Sequence, residues 1–320
     1  MGLLVANLLI GLGNGCTEAA CNPMIADAYQ GNRMSKMMNR FHMWFPGGIA
    51  LGSLLSGGMT QMGILGQNQV WLLLVPALIY AFLFFGQTWP KAKVEEAATL
   101  SGNIKAMLSP LFIFMVVCMA LTAITEFGPN QWVGLILSNS GAHPMLILAL
   151  TSGLMAVARF FGGDMVKKFD QTGVLLGSAV LALVGLYLFS SQTGAMAYVA
   201  AIFFALGIAY FWPNMLGFIA DKIPKSGALG LSILGGVGMF SSSIFQPIIG
   251  TWIDADQEMA AAQGLTGNEL NLVAGQATIG TMTVFPIILI VLFTILYFWV
   301  RKMKASTSAQ AHSEAESTAM

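Results

Sequence analysis

Apolar runs of bilayer length alternate along this chain with short polar gaps, and the gaps are of two kinds. A crossing helix needs roughly 20 apolar residues, with a range of about 17–25. Nine stretches are read as spans on that basis: about 4–27, 37–59, 70–88, 108–137, 144–161, 173–190, 196–220, 228–250 and 277–300. The fourth is too long for one straight crossing, and Gly128-Pro129 predicts a kink or break near its outer end. All fourteen Lys and Arg residues fall in Arg33–Arg40, Lys91–Lys105, Arg159–Lys168, Lys222–Lys225 and Arg301–Lys304. The gaps at 60–69, 138–143, 191–195 and 251–276 hold none, although the last is acidic and is expected to carry a short surface helix. Basic residues are retained on the cytoplasmic side, so the alternation predicts a multi-pass inner-membrane protein with a cytoplasmic C-terminus. The fold class that follows is an all-α membrane protein of nine transmembrane helices.

Composition narrows the function. Apolar residues make up 56% of the chain and charged residues 9%, against about 25% charged in a soluble domain. A formal net charge of zero argues against nucleic acid as a partner and leaves the lipid bilayer and a small solute. Cys16, Cys21 and Cys118 lie in apolar stretches without CxxC spacing, which indicates neither a disulfide framework nor a metal site. No cofactor motif stands out: Gly11-Leu12-Gly13-Asn14-Gly15 resembles a nucleotide loop but follows no strand. Enzyme motifs are missing too, with no HExxH and no paired Asp inside a span. A monomer is the expected state.

The loops divide the chain into 1–88, a partial bundle of three helices; 89–107, a basic cytoplasmic linker; 108–304, a six-helix bundle; and 305–320, a Ser-, Ala- and Glu-rich tail expected to be disordered. A short repeat links the two bundles. Cys21-Asn22-Pro23-Met24-Ile25-Ala26-Asp27 ends the first helix, and Trp212-Pro213-Asn214-Met215 with Ile219-Ala220-Asp221 ends the seventh. Parallel six-helix repeats about an axis along the membrane normal belong to one large transporter architecture. Three helices precede the second copy within its bundle and none precedes the first, so the expectation is a chain lacking three leading helices. An unsupported, inactive fragment is among the readings.

Candidate chemistry lies in the few polar groups inside spans. An ionised side chain at the centre of a crossing costs ~2.5–3.5 kcal/mol on insertion scales and so faces a cavity or a partner. Glu18 lies near mid-span with Asn22 one turn away, and is read as a protonatable carboxylate that also binds a polar solute. Glu126 lies nearer the outer surface, where snorkelling to water competes with solute binding. His42 serves either a proton relay or a helix-end hydrogen bond. Trp132, Tyr210 and Trp212 suit stacking on a sugar ring or anchoring at the interface. Asn130, Gln131, Asn214 and Gln246 suit hydroxyl recognition or interhelical hydrogen bonds. The loop from Arg159 through Gly163, Asp164, Lys167 and Lys168 is expected to be a tight cytoplasmic turn whose ion pairs hold one conformation.

These residues resemble the major facilitator superfamily, and within it the fucose permease-like sugar–proton symporters. Residues 11–24 (GLGNGCTEAACNPM) are similar to that family's fourth helix, with Glu18 and Asn22-Pro23 at the matching positions. Met38-Asn39 resembles the start of its fifth helix, Glu126 and Trp132 a Glu-x5-Trp pattern in its seventh, and 206–254 its tenth and eleventh. Arg159–Lys168 resembles a degenerate second copy of the superfamily's loop motif. The resemblance implies that the chain corresponds to helices four to twelve of twelve, and that Glu18 binds sugar hydroxyls and responds to protonation. It implies proton-coupled uptake of a neutral sugar or related solute, with an exporter of drugs or metabolites as the alternative. The chain departs from the family at Phe45-Pro46-Gly47-Gly48, where a polar residue is expected midway along the fifth helix.

Overall fold

The computed structural model of the chain describes residues 2–88, 99–137 and 144–318, and all regular structure among them is helical. The elements are α1 (Gly2–Ala28), α2 (Gly31–His42), α3 (Trp44–Gln61), α4 (Gly66–Gln69), α5 (Leu74–Phe84) and α6 (Leu100–Met107). They continue as α7 (Pro110–Leu137), α8 (Pro144–Phe160), α9 (Gly162–Ser191), α10 (Ala195–Ile208), α11 (Phe211–Lys222), α12 (Gly227–Ala262), α13 (Gly267–Met282) and α14 (Val284–Thr318). Most of the expected linker, and the gap at 138–143, lie outside the described residues.

Seven segments among the described residues are long and apolar enough to cross a membrane: Gly2–Ala28, Gly66–Phe84, Pro110–Trp132, Gly162–Ser191, Ala195–Lys222, Pro224–Ala262 and Gly267–Met303. Two of the nine expected spans fall short of that standard. The span at 37–59 is divided between α2, which is polar, and α3, which is rich in Gly and Ser. The span at 144–161 yields only a shorter apolar helix, Met145–Phe160.

The expected turn at 159–168 is corrected by the structure. Between α8 and α9 the chain deviates only at Phe161 (φ −90°, ψ 2°), whereas the non-helical residue is Asp170 (φ 59°, ψ 164°). Contacts with α2 and α3 show that the helix keeps its direction across Phe161. A Cβ at Gly153 would sit 4.0 Å from Ala50, and one at Gly47 3.8 Å from Ala156. Further along, Arg159 meets His42, Gly162 meets Asn39 and Gly163 meets Lys36. As one partner's numbers rise the other's fall, so this is a single antiparallel pairing. The reversal comes at Asp170, whose φ of 59° and ψ of 164° place it in a strained backbone region that is otherwise nearly confined to glycine. Gly162 and Gly163 are therefore sites of close helix approach, and the tight turn predicted from their small size is absent.

Three smaller expectations change. Helix α7 runs through Gly128-Pro129 as one element, so the break, one of the two expected outcomes there, does not occur. The acidic stretch after residue 251 extends α12 to Ala262 and then opens α13 at Gly267, leaving a gap of only a few residues. The tail is helical to Thr318; residues 305–318 are rich in Ala, Ser and Glu, with no Gly or Pro to end the helix.

The core is built from α7 to α14, together with Met34 and Met38 of α2. Helices α9 and α10 pack backbone to backbone, because a Cβ at Gly185 would fall 2.4 Å from the Phe204 nitrogen and one at Gly207 2.2 Å from that of Ala182. Small residues allow this approach, and Phe189 and Phe204 close the seam edge to face. Helices α1 and α5 contribute far less: Asn22 is the one buried residue of α1, and α5 has none.

Candidate functional site

Arg159 lies about midway between Pro144 and Asp170, inside the fold, with 1% of its surface exposed. Its guanidinium makes three contacts. Nε donates to the carbonyl of Ala209 at 2.6 Å, Nη1 to the carbonyl of His42 at 3.0 Å, and Nη2 to Glu126 Oε1 at 3.3 Å. Both carbonyls are available for the same reason. A proline inside a helix lacks the N–H that would reach the carbonyl four residues back. Pro46 stands four residues after His42, and Pro213 four after Ala209. The chain is broken there, between α2 and α3 and between α10 and α11. Arg159 thus neutralises a buried carboxylate and takes up two acceptors that prolines have freed.

This corrects two expectations. Arg159 belongs to the buried centre, and its assignment to a surface loop is wrong; Gly163 packs on α2, whereas Asp164, Lys167 and Lys168, the other candidates in that stretch, are exposed. Glu126 is 2% exposed and ion-paired, so it does not reach water by snorkelling. Its second oxygen, Oε2, is buried without a hydrogen-bond partner.

Glu18 approaches the same centre from α1. Its carboxylate lies beside the Trp212 indole and the Asn22 amide and within electrostatic reach of Arg159. Asn22 is buried, and its Oδ1 accepts from His42 Nε2 at 3.0 Å, which fixes the ring tautomer. The two copies of the sequence repeat converge here. Asn22 from the first copy holds His42, and Asn214 Oδ1 from the second accepts from Asn39 Nδ2 at 3.0 Å, one turn earlier on α2. The two asparagines thus hold neighbouring positions on one face of α2. Toward the basic end the seam closes further, as Gln171 Nε2 donates to Ser35 Oγ at 3.1 Å.

Three cavities surround this centre. One of about 420 Å³ lies on the side away from the basic end and is lined by Phe45, Glu126, Asn130, Gln131, Ser152 and Gln246, among others. A second, of about 20 Å³, is bordered by Glu18, His42, Glu126, Arg159 and Trp212. The third, of about 330 Å³, lies between α1 and α12 and includes Asn14, Glu18, Asn22 and Ser232. The two larger ones fall in the ~300–1,000 Å³ range of small-molecule sites.

The remaining candidates divide. Trp132 Nε1 donates to Gln246 Oε1 at 2.9 Å, while Gln246 Nε2 donates to the Phe127 carbonyl at 3.0 Å, so both side chains brace the wall of the 420 Å³ cavity. Asn130 back-bonds to the Glu126 carbonyl at 2.8 Å. Tyr210 and Asn214 are buried but line none of these three cavities, and Asn214 is committed to the contact with α2. Sequence reasoning missed the depth of Arg159. One signal was available: a helix from Pro144 to Arg159 rises only about 24 Å, short of a ~30 Å hydrocarbon core. It also missed Asn39 as a seam residue, which no local pattern marks.

Comparison with known proteins agrees with this architecture. The chain is 25% identical over 299 residues to the inner membrane transport protein RhmT of Escherichia coli (strain K12), a match covering 81% of this chain and 66% of that protein. The chain thus spans about two-thirds of the length of this curated relative. Its fold resembles the crystal structure of the E. coli fucose:proton symporter FucP, with a TM-score of 0.62 at 13% identity over 89% of this chain and 76% of that one. FucP in the outward conformation matches with a TM-score of 0.62 at 14% identity, over 89% of this chain and 75% of that one. Residues 2–246 match the profile of the Major Facilitator Superfamily. That match spans well over half of the chain, which therefore belongs to the Major Facilitator Superfamily, a family of transporters rather than enzymes.

Proposed function

We propose that this protein is a secondary active transporter of the inner membrane that takes up a neutral sugar or related polar solute together with protons. The observation that carries the reading is the buried centre itself. Two carboxylates, Glu18 and Glu126, face one guanidinium, Arg159, among spanning helices. With both carboxylates ionised the three carry a net charge of −1, and one bound proton brings them to zero. A charge-neutral centre is closed off from water at far lower cost than a charged one, which gives proton binding a direct route into the transport cycle. The 420 Å³ cavity supplies carboxylate, amide and hydroxyl groups suited to solute hydroxyls, with Phe45 and Phe127 as apolar faces. The likeness to a fucose:proton symporter supports the same reading at the level of fold.

In this reading α2 with α3 forms one crossing, and α8 with the start of α9 forms another, giving nine in all. Residues 1–88 and 108–304 form the two groups of helices that rock against each other. With the basic end taken as cytoplasmic, the α2–α9 seam closes the cytoplasmic side, and the 420 Å³ cavity lies on the outer side. The test is uptake of radiolabelled sugars by cells expressing the protein, with and without a protonophore. Accumulation that collapses with the protonophore is expected. Accumulation unaffected by it contradicts proton coupling.

A further inference from the structure

The three cavities share one wall residue. The 420 Å³ cavity contains Glu126 but not Glu18, and the 330 Å³ cavity contains Glu18 but not Glu126; the 20 Å³ space between them touches both. Met239 of α12 borders all three, and no other residue does. It is 43% exposed, so packing covers only part of its side chain. A long helical side chain leans back over the residues three and four positions earlier. Here those are Gly236 and Gly235. A Cβ at Gly236 would meet nothing within 4 Å, and one at Gly235 would meet only Trp212 at 3.7 Å and Glu18 Oε2 at 3.8 Å. The thioether chain, with three rotatable bonds, has open space beneath it to swing into.

We propose that Met239 is a movable partition between the two carboxylate-lined cavities, and that its position sets the largest solute able to reach Glu18 and Glu126 together. In one position it leaves two separate spaces. Swung over Gly235 and Gly236, it opens the narrow space between them and joins the two. Met239 is therefore a specificity-determining residue, whereas the acidic groups it separates bind the solute and the proton. The inference rests on the sugar-transport reading given above.

The test compares uptake of L-fucose and D-galactose with that of lactose in the wild-type protein and in Met239→Ala and Met239→Leu. Removing most of a hydrophobic wall changes discrimination by about tenfold or more. Met239→Ala is expected to shift the KM ratio in favour of lactose by that factor, while Met239→Leu, close in volume, stays near wild type. An unchanged ratio in Met239→Ala, with wild-type uptake intact, overturns the partition. Wild-type protein that takes up none of these sugars rejects the sugar reading instead, and a second measurement then decides on Met239. With ¹³C-methyl methionine and the signal assigned through Met239→Leu, a Met239 methyl averaged over rotamers supports the partition. A methyl fixed in a single rotamer overturns it.

Discussion

Arg159 Nη1 donates to the carbonyl oxygen of His42 across 3.0 Å, and that oxygen is the acceptor Pro46 deprives of its helical partner. The same side chain fills the equivalent position four residues before Pro213, at Ala209. A charged residue this deep is costly unless it is paired and hydrogen-bonded. Arg159 meets both conditions with Glu126 and two proline-freed carbonyls, and so joins α2, α7, α8 and the α10–α11 break at one point.

Removing one partner of a buried pair leaves the other uncompensated. Arg159→Ala is expected to destabilise the protein by about 3–5 kcal/mol. The double change Arg159→Met with Glu126→Leu recovers part of that loss, because it removes both charges, but it does not restore uptake. Thermal unfolding in detergent, paired with transport assays, separates the two effects. Recovery of uptake along with stability contradicts a role for Glu126 in solute binding.

Pro46→Ala supplies the missing backbone N–H. It restores a helical partner to the His42 carbonyl, which then competes with Arg159. The expected result is a protein at least as stable as wild type but slower in transport. A variant with unchanged turnover shows that the break at Met43 is incidental.

Gly162→Ala would place a Cβ 2.4 Å from Asn39 Oδ1 and 2.8 Å from Asn39 Cβ. Overpacking of this kind costs about 1–3 kcal/mol. The strain falls on the α2–α9 seam, so the seam is expected to open. In a background lacking Cys16, Cys21 and Cys118, a cysteine placed at Ser35 should then react with maleimide about tenfold faster, the factor for ~1.4 kcal/mol. An unchanged rate shows that the seam does not depend on this contact.

Much of this was legible in the sequence, for physical reasons. Seven of the nine expected spans are long and apolar enough to stand out among the described residues, and Glu18 and Glu126 are conspicuous as charges among apolar neighbours. The repeat located Asn22 and Asn214, although their shared task of holding α2 depends on His42 and Asn39, which only the folded chain brings to them. Arg159 was misread because a cluster of basic, acidic and glycine residues looks the same whether it makes a surface turn or the charged end of a long helix. Only its partners reveal its depth. Met239 carried no signal at all, since one methionine after three glycines is chemically bland and its importance comes from three cavities meeting around it.

We propose that Glu18, the carboxylate of the centre that is outside the Arg159–Glu126 ion pair, binds the proton that drives accumulation. The most direct measurement is paired transport by Glu18→Gln in membrane vesicles: sugar exchange with no gradient, and accumulation against an imposed proton gradient. Exchange near the wild-type rate with accumulation abolished is the predicted result. Accumulation at the wild-type level by Glu18→Gln would contradict it.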